Sequence, residues 1–411
     1  MNKGLEYAFS LPQEPKHFNP AEIEKLAWRI VDCALAIGPD DILLVKYHPG
    51  AKSLMDAVCE VTLKRGAKIL PLLSDPTKIL AEKLTKLPVD APLEVYGEMV
   101  LEERLLTEKA NKFVGLFYDD DPRAMDSVDG RIRGNYEKAR LPLKELSVGK
   151  RYFLIYLPTP QEAKLAGMSY GKYGAMCFRG YNRDWDKVET AQDILIERLN
   201  TGKYVEFYAN EGLKPKWQTY VAMSIEGQTP WANSTFLRNI GSEIFTAPKA
   251  ETVTGTVAAP YRLMFNNRML HNLTLDFKGG KVVDFWTRGA EQRRYVRDML
   301  ETDEGACKVG EIGIGTNPEY DRPIPEPSKA EKSLGFHIGL GWSFPEQVYA
   351  GREVRIDNGN RSAVHIDVVN LMVLPWGGRV FLDERLIQEN GVWLDPETGR
   401  PDPRLAIISA K

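Results

Sequence analysis

The spacing of apolar and polar residues changes near residue 200 and predicts two different kinds of structure. In the first half, apolar residues recur every three or four positions over 21–35 and 51–65, which is typical of amphipathic helices. Short continuous apolar runs of strand length lie at 40–47, 67–73, 111–118 and 150–158. A strand, a helix and a second strand within about 30 residues form a β-α-β unit with parallel strands. The first half therefore predicts an open α/β sheet.

Beyond residue 200, glycines become frequent and apolar residues alternate with polar ones at period two. This alternation is typical of antiparallel strands with one buried face. The run 273–286 predicts a hairpin that turns at Gly279–Gly280, and 368–387 predicts another that turns at Gly377–Gly378. Helical spacing returns over 290–306. The second half is therefore expected to be mainly antiparallel and β-rich.

The same change of pattern predicts two domains. An α/β domain is expected over 1–200 and a β-rich domain over 201–411, so the expected fold class is α/β plus α+β. The helical stretch that closes the first domain carries Arg179, Arg183 and Asp184. We interpret these charges as a solvated helix face rather than as part of a site.

Composition and charge narrow the function. Lys and Arg number 54 and Asp and Glu number 57, so no basic surplus is available to bind nucleic acid. No apolar run approaches the roughly 20 residues that cross a bilayer, so we expect no membrane partner. The four cysteines lie far apart without a CxxC pair. That spacing disfavours a disulfide framework or a thiolate zinc site and favours a cytoplasmic protein with reduced thiols.

The turn after the first predicted strand carries no nucleotide-binding motif. It reads HPGAKS and contains a single glycine. Neither GxGxxG nor GxxxxGK[ST] is present there, and these motifs are what allow a backbone to approach phosphates closely. The α/β sheet is therefore expected to be structural.

Histidines and an acid in the last quarter of the chain suggest a metal site. His365 and Asp367 form an H-x-D pair, whose side chains point to the same face if the segment is a strand. His337 stands among glycines in GFHIGLG. Two imidazoles and a carboxylate are a common donor set for a divalent metal. The alternative is that each histidine is simply packed and hydrogen-bonded.

Two glutamates strengthen the metal hypothesis. Glu243 and Glu311 are single acids among glycine and apolar residues, in segments that otherwise indicate burial. A buried carboxylate needs a strong partner. A lysine or backbone amides could be that partner, but together with the histidines and Asp367 these glutamates also supply enough ligands for a two-metal centre.

Four motifs resemble those of the M29 aminopeptidases. GSEIFTAP, GEIGIGTNP, HIGLG and VHID occur here in the family's order and at comparable spacing, within a resemblance that runs from about Tyr204 to Leu386. The resemblance implies a homodimeric hydrolase that binds two divalent ions (zinc, cobalt or manganese) and removes N-terminal residues from peptides. It places the metal ligands at Glu243, Glu311, His337, His365 and Asp367.

The resemblance also implies roles for single residues. Glu311 would bridge the metals or take the proton from the attacking water, with Glu243 as the second catalytic carboxylate. Glu331 lies about one residue from a further acidic ligand position, and the alternative for it is a solvent-exposed acid. Phe344 stands where the family has a tyrosine that stabilises the tetrahedral intermediate, so that hydroxyl is missing here unless Tyr349 replaces it.

A second hypothesis is that the protein is a ring-cleaving oxygenase. His337, His365 and Asp367 alone match the triad that holds a single Fe(II), and dihydroxypyridine dioxygenases resemble the same fold. Phe344 and Trp342 would suit an aromatic substrate. Because a mononuclear site does not need both additional glutamates, we favour the hydrolase. A non-catalytic binding protein is disfavoured, since unneeded buried acids are a burden on stability.

Overall fold

The structure is a computed structural model, and the residues it describes are 19–118, 121, 124–147, 150–234, 240–265, 268–349 and 351–411. Contacts divide the chain into two compact units, Met1–Gln161 and Glu162–Lys411. The predicted domains, 1–200 and 201–411, follow a change of pattern instead, and their boundary stays a prediction. Among the described residues, no helix has both the length and the apolar character needed to cross a membrane.

The first unit is an α/β layer around a parallel sheet, as predicted. Its strands are β1 (Ile42–Tyr47), β2 (Lys68–Leu73), β3 (Lys112–Phe117) and β4 (Arg151–Tyr156). They lie in the order β2-β1-β3-β4, and every neighbouring pair is parallel. The described α-helices are α1 (Pro20–Trp28), α2 (Lys52–Lys64), α3 (Thr77–Leu84), α4 (Leu93–Met99), α5 (Leu101–Lys109) and α6 (Gly130–Ser147), and a π-helix, Arg29–Ala34, follows α1 directly.

The second unit contains most of the antiparallel structure. Helix α7 (Pro160–Leu165) spans the boundary between the units, and the helices that follow are α8 (Tyr170–Tyr181), α9 (Trp185–Asn200), α10 (Ala290–Leu300) and α11 (Pro327–Ala330). The strands are β5 (Tyr204–Ala209), β6 (Thr219–Ser224), β7 (Ala232–Ser234), β8 (Glu243–Thr246), β9 (Thr254–Phe265), β10 (Arg268–Lys278), β11 (Lys281–Thr287), β12 (Val309–Gly315), β13 (Gly335–Gly341), β14 (Val348–Tyr349), β15 (Arg352–Glu353), β16 (His365–Leu371), β17 (Gly378–Leu382), β18 (Arg385–Glu389) and β19 (Val392–Trp393).

These strands form two main antiparallel sheets and a small ribbon. The larger sheet has the order β11-β10-β9-β6-β5-β17-β18-β19, and the five-stranded sheet has the order β16-β13-β12-β8-β7. The ribbon is β14-β15. Phe207 of the larger sheet stacks on Phe336 of the five-stranded sheet, with ring centroids 4.4 Å apart. The two sheets therefore share an apolar core on one face of the five-stranded sheet.

One predicted hairpin is confirmed and the other is wrong. Strands β10 and β11 pair antiparallel around Gly279 and Gly280, which have φ of +56° and +75°. The run 368–387 is not a hairpin, because β16 pairs with β13 whereas β17 pairs with β5 and β18. Pro375 cannot donate a ladder hydrogen bond, so the chain leaves one sheet there and enters the other. The hairpin in this region is formed by β17 and β18, and its turn lies at Asp383 and Glu384, with φ of +47° and +67°.

Candidate metal centre

Four adjacent strands bring the predicted acids and histidines to one face of the five-stranded sheet. Glu243 begins β8, Glu311 lies in β12, His337 lies in β13, and His365 and Asp367 lie in β16. The order β16-β13-β12-β8 makes these strands neighbours. Alternate residues of a strand share a face, so both side chains of the H-x-D pair project together. The apolar residues between them form the opposite face.

Each of these side chains has a glycine as a cross-strand partner. The pairs are Glu243 with Gly315, His337 with Gly313, Glu311 and Asp367 with Gly339, and His365 with Gly341. A Cβ at Gly313 would lie 2.1 Å from His337 Cε1, and one at Gly339 would lie 3.1 Å from Asp367 Oδ1. The glycines of GEIGIG and HIGLG therefore leave a cradle in which the acid and imidazole groups meet.

The donor atoms in this cradle form a compact cluster. One donor atom each of Glu311, His337 and Asp367 lies within 4.8 Å of the others. His337 Nε2 is 3.1 Å from Glu311 Oε1 and 4.0 Å from Asp367 Oδ1. His365 Nε2 is 3.6 Å from Glu311 Oε2 and 3.4 Å from Asp367 Oδ1. Glu311 therefore presents one carboxylate oxygen to each histidine.

The cluster has the chemistry of a divalent metal site. Asp367 Oδ1 is buried and accepts no hydrogen bond from any described residue. An unpaired buried acceptor costs about 1–3 kcal/mol, so this oxygen calls for a cation. Imidazole nitrogens and carboxylate oxygens are the donors that zinc and related divalent ions take in proteins. The residues present therefore fit such an ion.

His365 is oriented by its second ring nitrogen. Its Nδ1–H donates to the Trp342 carbonyl oxygen at 2.9 Å, which leaves Nε2 facing Glu311 and Asp367. Metal-binding histidines commonly have such a partner on the other nitrogen. The Phe344 ring packs edge-on against the imidazole, with centroids 5.1 Å apart. Both contacts fix the direction of the His365 donor atom.

The surrounding acids change how the cluster titrates. Burial disfavours the charged form of His337, but the hydrogen bond to Glu311 and the nearby carboxylates outweigh it and raise its pKa to about 9. Burial also acts to lower the pKa of His365, but the surrounding acids, chiefly the charge of Asp367, raise it to about 10. Burial acts to raise the pKa of Asp367, yet the charges of His365 and His337 lower it. The acids and imidazoles of the cluster thus stabilise each other's charged forms.

Lys332 is a member of the cluster that the sequence did not single out. Its side chain is 1% exposed, and its Nζ donates to Glu243 Oε1 and, at 2.7 Å, to Glu331 Oε1. Burial opposes its charge, but these two carboxylates outweigh that and raise its pKa. A lysine partner for a buried glutamate was one of the alternatives for Glu243, and the structure places one there.

Glu331 is largely buried, so the solvent-exposed alternative for it is wrong. Its side chain is 16% exposed and bonds to Lys332. Burial raises its pKa to about 8 against the opposing charge of Lys332, and the charges of Glu243 and Asp367 add to the increase. Its role as a further metal ligand stays a prediction.

Two buried polar side chains, Arg183 and Gln192, position the chain on either side of Glu243. Arg183 is 8% exposed and donates to Ser242 Oγ and, at 2.9 Å, to the Thr316 carbonyl. Gln192 Nε2 donates to the Glu243 carbonyl at 3.2 Å and to Thr316 Oγ1 at 2.9 Å. The interpretation of Arg183 as part of a solvated helix face is therefore wrong. It follows the last turn of α8, where the chain bends and directs it inward.

The three residues predicted to line a substrate pocket lie in different surroundings. Phe344 contacts His365, as described above. Tyr349 is buried and packs at right angles to Phe245, with centroids 5.2 Å apart. The Trp342 ring lies 5.2 Å from the Arg361 guanidinium. Their role in binding a substrate stays a prediction.

A small cavity that the sequence did not indicate reaches Asp367. Tyr261 and Arg262 of β9 line it, together with Arg322 and the proline-rich segment 323–325. Tyr261 is held in place because its hydroxyl donates to the Val369 carbonyl at 2.8 Å. This cavity brings residues from β9 next to the cluster.

Comparison with known proteins points to one family. The family model of the thermophilic metalloprotease (M29) matches residues 19–391. Aminopeptidase T of Thermus aquaticus is 33% identical over 135 residues, which cover 30% of this chain and 32% of that protein. Aminopeptidase AmpS of Bacillus subtilis is 27% identical over 193 residues, or 42% of this chain and 44% of that protein. These two alignments thus span less than half of either relative.

Other similarities cover nearly the whole chain. Aminopeptidase 2 of Geobacillus stearothermophilus is 29% identical over 385 residues, which cover 85% of this chain and 90% of that protein. The solved structure of wild-type AmpT from Thermus thermophilus has a TM-score of 0.70 at 18% identity, with 91% of this chain and 99% of that chain covered. The 2,5-dihydroxypyridine dioxygenase of Pseudomonas putida KT2440 has a TM-score of 0.51 at 14% identity, with 93% and 100% covered.

The two solved structures agree with the α/β plus α+β fold class. The family match extends over more than nine-tenths of the chain and includes all of the motif segments that carry the cluster. Membership of a metalloprotease family also implies that a divalent metal is bound. The chain belongs to the M29 family of thermophilic metalloproteases.

Proposed function

We propose that this protein is a metal-dependent aminopeptidase that removes N-terminal residues from peptides. The observation that carries the proposal is the cluster of donor atoms from Glu311, His337 and Asp367, within 4.8 Å of one another in a chain of a metalloprotease family. The relative aligned over 90% of its length is named aminopeptidase 2. Geometry, chemistry and family thus support the same activity.

Four residues would hold the metal. Glu311, His337, His365 and Asp367 would hold a divalent ion, which would supply a water of lowered pKa and polarise the scissile carbonyl. The sequence predicts two ions, of zinc, cobalt or manganese, and we propose that the resident metal is one of these three. These four donors suffice for one ion, whereas Glu243 is paired with Lys332.

The carboxylates of the site have two further tasks. We assign Glu311 as the group that takes a proton from the attacking water and returns it to the leaving nitrogen, with Glu243 as the second catalytic carboxylate. Glu311 suits this task because its two oxygens lie between His337 and His365. The surplus of acids over Lys332 favours a substrate that presents a positive charge, as the α-ammonium of a peptide does.

The central test is hydrolysis of aminoacyl substrates by the metal-loaded protein. We expect release of N-terminal residues from free peptides and none from N-acetylated peptides, because an acetyl group removes the α-amine. Glu311→Gln is expected to lower kcat by roughly 10²–10⁴, the usual contribution of acid-base catalysis, with an unchanged circular dichroism spectrum. Undiminished turnover in this variant would overturn its assigned role.

A second assay of the same purified protein distinguishes an aminopeptidase from the alternative function, a ring-cleaving oxygenase. Iron-loaded protein is tested for oxygen uptake with a dihydroxypyridine. Ring cleavage without peptide hydrolysis would replace the aminopeptidase with a mononuclear Fe(II) dioxygenase that uses His337, His365 and Asp367. Peptide hydrolysis without oxygen uptake supports the proposal.

Assembly and location complete the proposal. We infer a homodimer from the family resemblance, which sedimentation velocity measures directly. We infer a cytoplasmic location because the four cysteines lie far apart in the sequence without a CxxC pair, which suits a reducing compartment. We propose that the substrate pocket is lined by Phe344, Trp342 and Tyr349. Phe344→Tyr is expected to raise peptide hydrolysis if the absent hydroxyl limits the rate.

A further inference from the structure

Lys332 introduces a positive charge into the metal cluster. Its Nζ donates to Glu243 and, at 2.7 Å, to Glu331, and its side chain is 1% exposed. Glu243 is one of the ligands on which a two-metal centre would depend, and its second oxygen lies 3.9 Å from His337 Nε2. The ammonium therefore already occupies one coordination direction of this carboxylate.

The lysine cannot readily move aside. Its backbone N–H donates to the Lys329 carbonyl at 3.2 Å, and its own carbonyl accepts from the Asn317 N–H at 3.0 Å. The β12 strand packs against the same segment, since a Cβ at Gly315 would lie 2.7 Å from the Lys332 carbonyl carbon. With the backbone fixed and the side chain closed off from solvent, the ammonium stays between the two glutamates.

An ion on Glu243 would lie close to this ammonium. Metal–oxygen bonds are about 2.0–2.2 Å long, so a divalent ion on Glu243 would be only about 4–5 Å from the nitrogen that shares the carboxylate. Two positive charges at that separation in a buried site repel each other strongly. The residues of this chain therefore do not fit a second ion at Glu243.

Charge balance leads to the same conclusion. The cluster contains four carboxylates, those of Glu243, Glu311, Glu331 and Asp367. Even if each of the four carries a full negative charge, one divalent ion and the ammonium leave no excess of positive charge when the histidines bind as neutral ligands. Two divalent ions and the ammonium would leave an uncompensated buried positive charge of about +1.

We propose that the Lys332 ammonium takes the place of one of the two predicted ions, so that each chain binds a single divalent ion. Glu311, His337, His365 and Asp367 ligate this ion, and Lys332 holds the Glu243 carboxylate in a fixed orientation. The inference rests on the proposed function only in assuming that the cluster binds metal. It gives this member of the family a centre with one resident ion and one built-in cation.

Metal stoichiometry tests the proposal without any peptide substrate. Tag-free protein is stripped of metal, loaded with Zn²⁺, dialysed and analysed by inductively coupled plasma mass spectrometry. We expect one zinc per chain in the wild type and two in Lys332→Met, which frees Glu243 and Glu331. Two ions in the wild type, or one in Lys332→Met, would overturn the inference.

A matched control and a second variant keep the test decisive. Lys329→Met removes another buried lysine that lies between two glutamates, Glu162 and Glu326, and it is expected to bind one zinc. If Lys332→Met fails to fold, Glu243→Gln is measured in its place. One zinc per chain in both the wild type and Glu243→Gln supports the inference. Two zinc ions in the wild type and one in Glu243→Gln would contradict it. Absence of bound metal in the wild type would instead refute the metal site of the proposed function.

Discussion

Two buried lysines three residues apart hold two glutamates each, and they belong to clusters of different character. Lys329 Nζ lies 3.1 Å from Glu162 Oε2 and 3.6 Å from Glu326 Oε2, and its side chain is 4% exposed. Lys332 bonds in the same way to Glu243 and Glu331. The lysine–glutamate contacts of the two clusters are therefore similar, and the difference lies in their surroundings.

Neutral groups surround the Lys329 cluster. Burial raises the pKa of the Tyr173 phenol far above its usual value and raises that of the Cys177 thiol to about 12, with the Glu162 charge adding to both increases. The Lys332 cluster instead adjoins Glu311, Asp367 and the two histidines, so four carboxylates share one fixed cation there, whereas two carboxylates share Lys329. A buried ion pair can be purely structural, whereas carboxylates in excess of their cations attract a further cation.

The largest expected effect is the loss of unfolding free energy when the cation of the Lys329 cluster is removed. Lys329→Met leaves Glu162 and Glu326 without their cation, and removal of one partner of a buried pair costs about 3–5 kcal/mol. The loss is measured by urea unfolding. Saturating Zn²⁺ is expected to stabilise this variant as much as it stabilises the wild type. A larger metal-induced gain would show that the Lys329 cluster also binds the ion.

In the absence of metal, Lys332→Met is expected to lower the free energy of unfolding by a similar amount. Zn²⁺ should then stabilise this variant more than the wild type, because a ligand that binds only the native state adds stability at each site it fills. The measurement compares the metal-induced gain in unfolding free energy of both proteins. Equal gains would make the two lysines equivalent and remove the distinction between the clusters.

The ligand face was predictable from sequence because its strands obey a local rule. Period two places His365 and Asp367 on one side of β16, and apolar alternation around Glu311 and His337 indicated burial. Lys332 and Arg183 were not predictable, because each lies just beyond a short or ending helix where tertiary packing decides the direction of the side chain. The alternation over 368–387 likewise contains no signal that the chain changes sheets.

A pH measurement probes the Lys329 cluster alone. Burial raises the pKa of Glu162 to about 7 despite the opposing charge of Lys329. Because the folded state then binds more protons than the unfolded state between about pH 4.5 and 7, Glu162 makes the protein less stable as pH rises through that range. The wild type should lose about 3 kcal/mol relative to Glu162→Gln, since one pKa unit corresponds to 1.36 kcal/mol. Parallel stability curves of the metal-free proteins would contradict the shift.

The smallest effect is expected where an ion pair of the same kind is exposed. Arg179 Nε lies 2.7 Å from Glu319 Oε2, but the arginine side chain is 56% exposed, and Lys411 also contacts Glu319 at 2.6 Å. Arg179→Ala should therefore cost less than about 1 kcal/mol and leave zinc stoichiometry unchanged, because solvent screens the pair and a second cation remains. A loss as large as that of Lys329→Met would mean that the number of ion pairs, rather than their burial, determines the stability of these clusters.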